Sequence, residues 1–268
     1  FGYDSGGSNT TGIRNTFVGA NAGDSNTDGN NNAFFGYDSG GANSTGDNNA
    51  FIGNYAGNAN TTGSNNTILG VSADVSSGAL TNATAIGNGA PVNASNKIRV
   101  GNASVTVIEG QVDWTFPSDA RFKFNIRNDV PGLAFINKLK PVTYQFDTRK
   151  FEEHLMQNMP DSVQQRRMAG QDYSESSARA QTGFLAQEVE QVCKDLGFEF
   201  GGLHVPASEV DNYGLAYGSF VPLLVKGMQE QQAEIEQLKM ENERLKKVEA
   251  QLEKITAALQ GAGIAVEK

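Results

Sequence analysis

The chain has few cysteines and histidines, the side chains that most readily bind metals. It has one cysteine in 268 residues, Cys193, so an intrachain disulfide and a thiolate metal cluster are both excluded. A small buried hydrophobe on a helix is the expected role of that cysteine. Two histidines, His154 and His204, stand 50 positions apart with no ligand spacing between them. No metal and no cofactor is expected. No apolar run reaches membrane-spanning length, which argues against membrane insertion. Positive charge is scarce as well: the net charge is −9, which disfavours nucleic acid as a partner.

The scarcities are unevenly distributed. Residues 1–90 contain six Asp and one Arg, but no Glu and no Lys, while 20 of the 31 glycines precede Val112. From Ala233 onward Glu, Lys, Gln, Leu and Ala dominate. The chain therefore divides into at least three parts of different physical character.

What the first part has is a repeat. Gly2, Gly19, Gly36, Gly53, Gly70 and Gly87 recur every 17 residues. Gly12, Gly29, Gly46 and Gly63 keep the same period, as do Gly6, Gly23, Gly40 and Gly57, and Asn15, Asn32, Asn49 and Asn66. Each unit carries an apolar pair: Phe17-Val18, Phe34-Phe35, Phe51-Ile52, Ile68-Leu69. Neighbouring residues of a strand point to opposite faces, so a doubly apolar pair needs cover on both. One member fills the inside of a solenoid rung. The other calls for a second surface, most simply the same rung of another chain. Gly, Asn and Asp supply the turns, and a unit this short gains its core only by stacking. The repeats resemble the heads of trimeric autotransporter adhesins. The register lapses after Gly87, and NKIRVGNASVTVIEGQVDW (96–114) reads as a β-rich neck. The chain starts inside a repeat, so a further N-terminal part is expected.

Next comes PSDARFKFNI (117–126), with Ser118 and Lys123 five residues apart, followed by FINKLKPVTYQFD (135–147), TGFLAQEVEQV (182–192) and YGLAYGSFVPLLVKGMQEQQAEIEQLK (213–239). In this order the segments resemble the intramolecular chaperone domain of the endosialidase type, found at the C-terminus of phage tail spikes and tail fibres. The resemblance implies a domain that trimerises, guides folding of the preceding fibre and then cuts itself off. It makes Ser118 the nucleophile, Lys123 its activating base and Pro117–Ser118 the scissile bond, with Asp119 and Arg121 in support. A serine hydroxyl needs a base to take its proton. A lysine serves only if burial or a nearby cation favours its neutral form. Arg121 is available as that cation, or as an ion-pair partner of Asp119. Phe122 and Phe124 flank the lysine and suit partial desolvation.

TGFLAQEVEQV reads as a strand entering a helix, with Phe184, Leu185, Val189 and Val192 as core and Gln187 and Glu188 in structural hydrogen bonds. The polar stretch 148–180 is either a mobile insertion or an arm reaching back along the shaft. From Met228, Gln231, Ile235, Leu238, Asn242 and Leu245 follow heptad spacing, and Val248, Leu252, Ile255 and Leu259 continue it after a three-residue stammer.

The expected fold is thus mainly β followed by α+β: a shaft over 1–95, a neck over 96–117, a chaperone domain over 118–227, a coiled coil over 228–260 and a frayed tail over 261–268. The resemblance makes the shaft and coiled coil trimeric. The expected function is a phage or phage-like tail fibre that binds a cell-surface receptor, a glycan among the candidates, on a virion or at a cell surface. Its only catalysis would be a single self-cleavage. The alternatives are a surface adhesin whose chaperone domain is not cleaved, and a fragment of a glycan-degrading spike. The latter needs paired carboxylates, and the repeats hold no glutamate.

Overall fold

A computed structural model describes residues 1–169 and 171–262. Of the expected frayed tail, residues 263–268 lie outside the described residues. In chain order the elements are β1 (Thr16–Val18), β2 (Ala33–Phe35), β3 (Ala50–Ile52), β4 (Thr67–Leu69), β5 (Asp74–Val75), β6 (Thr84–Ile86), β7 (Pro91–Val92), β8 (Ile98–Val100), α1 (Leu133–Ile136), β9 (Val142–Gln145), α2 (Thr148–Met156), α3 (Asp161–Met168), α4 (Ser174–Ala178), β10 (Ala180–Gly183), α5 (Ala186–Leu196), β11 (Leu203–His204), β12 (Gly214–Leu215) and α6 (Val221–Gly261).

The first ~100 residues wind into a β-solenoid of about five turns. Strands β1, β2, β3, β4, β6 and β8 form one parallel sheet in that order. The register steps by one repeat each time, Phe17 opposite Phe34, Phe34 opposite Phe51 and Phe51 opposite Ile68. The central residue of each strand points inward. Phe17, Phe34 and Phe51 stack ring on ring, with centroids 5.1 and 4.8 Å apart, and Ile68 and Ala85 extend this column in the same core.

The polar columns have equally specific places. Asn26 donates to Asn9 Oδ1, Asn43 to Asn26 Oδ1 and Asn60 to Asn43 Oδ1, at 2.8, 3.0 and 2.7 Å. In the second asparagine column each side-chain oxygen receives the backbone amide one rung later, ending with Asn66 Oδ1 and Ala83 N. Buried amides are thereby satisfied inside a very narrow core. At Gly36, φ is +134° and a Cβ would lie 2.6 Å from the carbonyl of Gly53 on the next rung, so only glycine fits.

The second residue of each pair faces outward. Val18, Phe35, Ile52, Leu69, Ile86 and Val100 form an exposed apolar column, with Ile52 48% exposed.

Compact units do not follow the boundaries expected from sequence. One unit joins residues 1–116 with 142–183 and 205–213. Within it α2 and α3 pack on the solenoid, and Met156, Met159 and Val163 share a core with Val75, Ala90 and Val92. The stretch 148–180 is here an arm on the shaft. Lys97 Nζ pairs with Asp211 at 2.9 Å, and Asn93 donates to the carbonyl of Val210 at 2.6 Å. Strands β9 and β10 pair antiparallel.

The other unit holds 117–141, 184–204 and 214–268. Phe135, Val189, Val192, Cys193, Phe200, Phe220 and Leu223 form its core. Leu185, expected in that core, is 47% exposed, because it precedes the first turn of α5 rather than lying on its inner face. Glu230 of α6 accepts the Leu133 amide at 2.8 Å and so satisfies a free N–H at the start of α1. Beyond that contact α6 runs on as one helix of 41 residues. Met228, Ile235, Leu238, Leu245, Val248, Leu252 and Ile255 are exposed along it.

The neck departs from expectation. Of residues 96–117 only Ile98–Val100 form a strand, and that strand closes the solenoid sheet. Val107, Val112, Trp114 and Phe116 are exposed, Trp114 by 90%. An extended apolar segment in a single chain has no neighbour for its backbone, and a strand without a pairing partner is not stable.

Candidate functional site

Asp119 shapes the turn that carries the expected chemistry. Its carboxylate accepts the Arg121 amide at 2.9 Å and caps a short 3-10 turn over Ala120–Phe122. The amide of Lys123 closes on the carbonyl of Ala120 at 3.2 Å. This tight turn folds the lysine back over the serine five residues earlier. Lys123 Nζ stands 2.7 Å from Ser118 Oγ, within hydrogen-bonding reach.

The supporting pair is also assembled. The Arg121 guanidinium binds the Asp119 carboxylate at 2.6 Å, and these bonds hold the carboxyl below its usual range. Arg121 thus takes the ion-pair role, and its charge is already matched. It also lies over the Phe122 ring, 5.6 Å from the centroid. The expected desolvation by Phe122 and Phe124 is not met in the single chain, because the two rings are 79% and 85% exposed. The turn carries both rings on the surface of the single chain, in water.

Chemically, the turn offers a hydroxyl in contact with an amine and next to its own preceding carbonyl at Pro117. Holding nucleophile and base together replaces much of the machinery that a bimolecular reaction needs. Glu188 lies 3.9 Å from Lys140 through one oxygen, a long ion pair on the surface. Cys193 is buried and free, and burial raises its thiol above the ordinary range, which suits a packing role. Among the described residues no group of His, Cys, Asp and Glu is arranged to hold a metal, and no helix is long and apolar enough to cross a membrane.

One group of residues was not singled out from sequence. Arg167, with its side chain 2% exposed, pairs with buried Glu152 at 3.2 Å and donates to the carbonyls of Ser72 and Gly89. Asp74 lies buried in the same unit, and burial pushes its carboxyl up to about 7 against the opposing pull of Arg167. A signal was present: Asp74 stands where the column Gly6, Gly23, Gly40, Gly57 would place a fifth glycine.

The solenoid and the segment that follows it fit a tail-fibre chaperone. Residues 118–198, less than half of the chain, match the family described as chaperone of endosialidase. No curated protein and no solved structure matches the chain.

Proposed function

We propose that this chain is the C-terminal part of a trimeric fibre whose chaperone segment drives association and folding of the shaft and then releases itself by cutting before Ser118. The family match, which begins at Ser118 and lies C-terminal to a β-solenoid, is the observation that carries this reading. Support for association comes from apolar surface left open in the single chain: the outer column from Val18 to Val100, the neck residues Val107 to Phe116, and the seam of α6. A seam spaced by three and four residues suits a coiled coil, and the number three comes from the family. The shaft's distal surface would meet a cell-surface receptor, as expected of a phage-type tail fibre.

The cleavage is a single turnover. Lys123 takes the proton of Ser118 Oγ, and the oxygen attacks the Pro117 carbonyl carbon. The C–N bond breaks as Lys123 returns the proton to the Ser118 nitrogen, which leaves as an amine, and water hydrolyses the resulting ester. Trimerisation would supply the cover that Phe122 and Phe124 lack in one chain. Wild type then yields fragments 1–117 and 118–268, whereas Ser118→Ala and Lys123→Ala stay whole. Expressed alone, residues 1–117 should fail to give a soluble trimer; a soluble trimer from that piece would remove the chaperone role.

The solvated state of the Ser118–Lys123 turn favours one second reading, a surface adhesin that keeps its chaperone domain. Wild type that remains intact after prolonged incubation selects it.

A further inference from the structure

Residues 38, 55, 72 and 89 occupy one position of the repeat, and Asp38, Tyr55, Ser72 and Gly89 share the left-handed conformation there, with φ of 53°, 60°, 53° and 60°. Two neighbouring arginines of α3 meet this column. Arg167 forks across two rungs, donating to the carbonyls of Ser72 and Gly89. Arg166 reaches one rung further back, where its guanidinium lies 3.8 Å from the Tyr55 ring centroid and donates to Asn58 Oδ1 at 3.3 Å. Three successive rungs are thus touched at equivalent positions by adjacent side chains.

The place of contact is where the shaft stops templating itself. The asparagine ladder that sets rung on rung ends at Asn66 and Ala83. Asp74 replaces the column glycine, Leu80 replaces the turn glycine, and the step from β6 to β8 shortens so that Thr84 faces Ile98. A one-residue slip of these rungs would turn every side chain to the opposite face, and against it the ladder offers only its last closure, Ala83 N to Asn66 Oδ1. Arg167 resists the slip: its Nη1 and Nη2 reach their partners together only when both carbonyls stand one above the other beside Glu152. Its Nε has no partner even in the native register, and burying it on a slipped shaft would strand its remaining donors as well, which is strongly unfavourable.

We propose that Arg166 and Arg167 form a register gauge, through which the 148–180 arm docks only on a shaft whose last rungs are stacked in the native register. The proposal rests on the chaperone reading and assigns that role to particular residues. Arg166 and Arg167 act as positioning residues.

The test uses the full chain carrying Thr67→Cys and Thr84→Cys, register partners on β4 and β6, with Cys193→Ser to remove the remaining thiol. After refolding from denaturant, a short bifunctional thiol reagent links the two positions only in the native register. Arg167→Met should lower the linked fraction several-fold. Arg167→Lys, which keeps the charge beside Glu152 but cannot fork to two carbonyls, should lower it as well while the chain stays soluble. Lys97→Met, which removes the shaft's ion pair with Asp211 of the 205–213 segment and leaves the arginine contacts in place, should leave it unchanged. An unchanged linked fraction in Arg167→Lys, with only a lower unfolding midpoint, would overturn the gauge. So would an equal loss in Lys97→Met, and that outcome leaves the chaperone role standing. Failure of the chaperone role itself shows separately, as a soluble trimer of residues 1–117.

Discussion

Asn49 Oδ1 accepts a hydrogen bond from the backbone amide of Asn66, one rung later, at 2.9 Å. The same side chain donates to the carbonyl of Gly63 at 2.8 Å. A single buried amide thereby closes two backbone groups that no strand or helix would satisfy. The shaft owes its order to such repeated closures as much as to its narrow apolar column.

Asn49→Ala should therefore destabilise the shaft by about 1–3 kcal/mol for each of the two groups left unpaired. Thr45→Ala, at an exposed turn position of the same repeat, should change stability by no more than ~0.5 kcal/mol. Urea unfolding of the two variants beside wild type measures the difference.

An inward and an outward residue of neighbouring strands should separate folding from association. Phe34→Ala empties the stacked column and should cost about 3–5 kcal/mol in any state of assembly. Ile52→Asp, on the outer face, should leave the circular-dichroism spectrum of the shaft in place and abolish association. Sedimentation at several concentrations distinguishes the two.

Lys123→Arg keeps charge and reach but removes the capacity to act as a base, since a guanidinium does not release its proton in a protein. It should therefore stop cleavage as completely as Lys123→Ala. A gel after extended incubation reads this, and fragments from the arginine variant would make Lys123 an orienting group rather than the base.

Asp74 should leave a mark on the pH dependence of stability. Burial raises its carboxyl to about 7 in the folded chain, against about 3.9 when unfolded. Between those values the folded state holds a proton that the unfolded state has lost. The contribution is full below about pH 4, falls as pH rises towards 7 and is level above that. Urea midpoints at pH 5 and pH 8 should differ in this sense for wild type, and Asp74→Asn should remove that part of the difference.

The shaft was legible because its determinants are local and repeated. Gly36 opposite Gly53, the Asn32–Asn49–Asn66 series and the Phe34–Phe51 stack each follow from a fixed step along the chain. The distance between Ser118 and Lys123 is likewise a local matter, because five residues around one turn span it. The grip of Arg167 is not. Its partners Ser72 and Gly89 lie 95 and 78 positions away, and backbone carbonyls leave no trace in residue type. The neck failed differently: Val107, Trp114 and Phe116 carry a strand's composition, but pairing needs a neighbour that one chain does not provide.

The most direct test of the account is the native mass of the full chain carrying Ser118→Ala, which keeps both parts covalently joined, measured by light scattering on a sizing column. The account predicts three times the chain mass, lost on boiling in detergent. A single-chain mass at micromolar concentration would contradict it, because the outer column from Val18 to Val100 and the seam of α6 would then lie open to water without a partner.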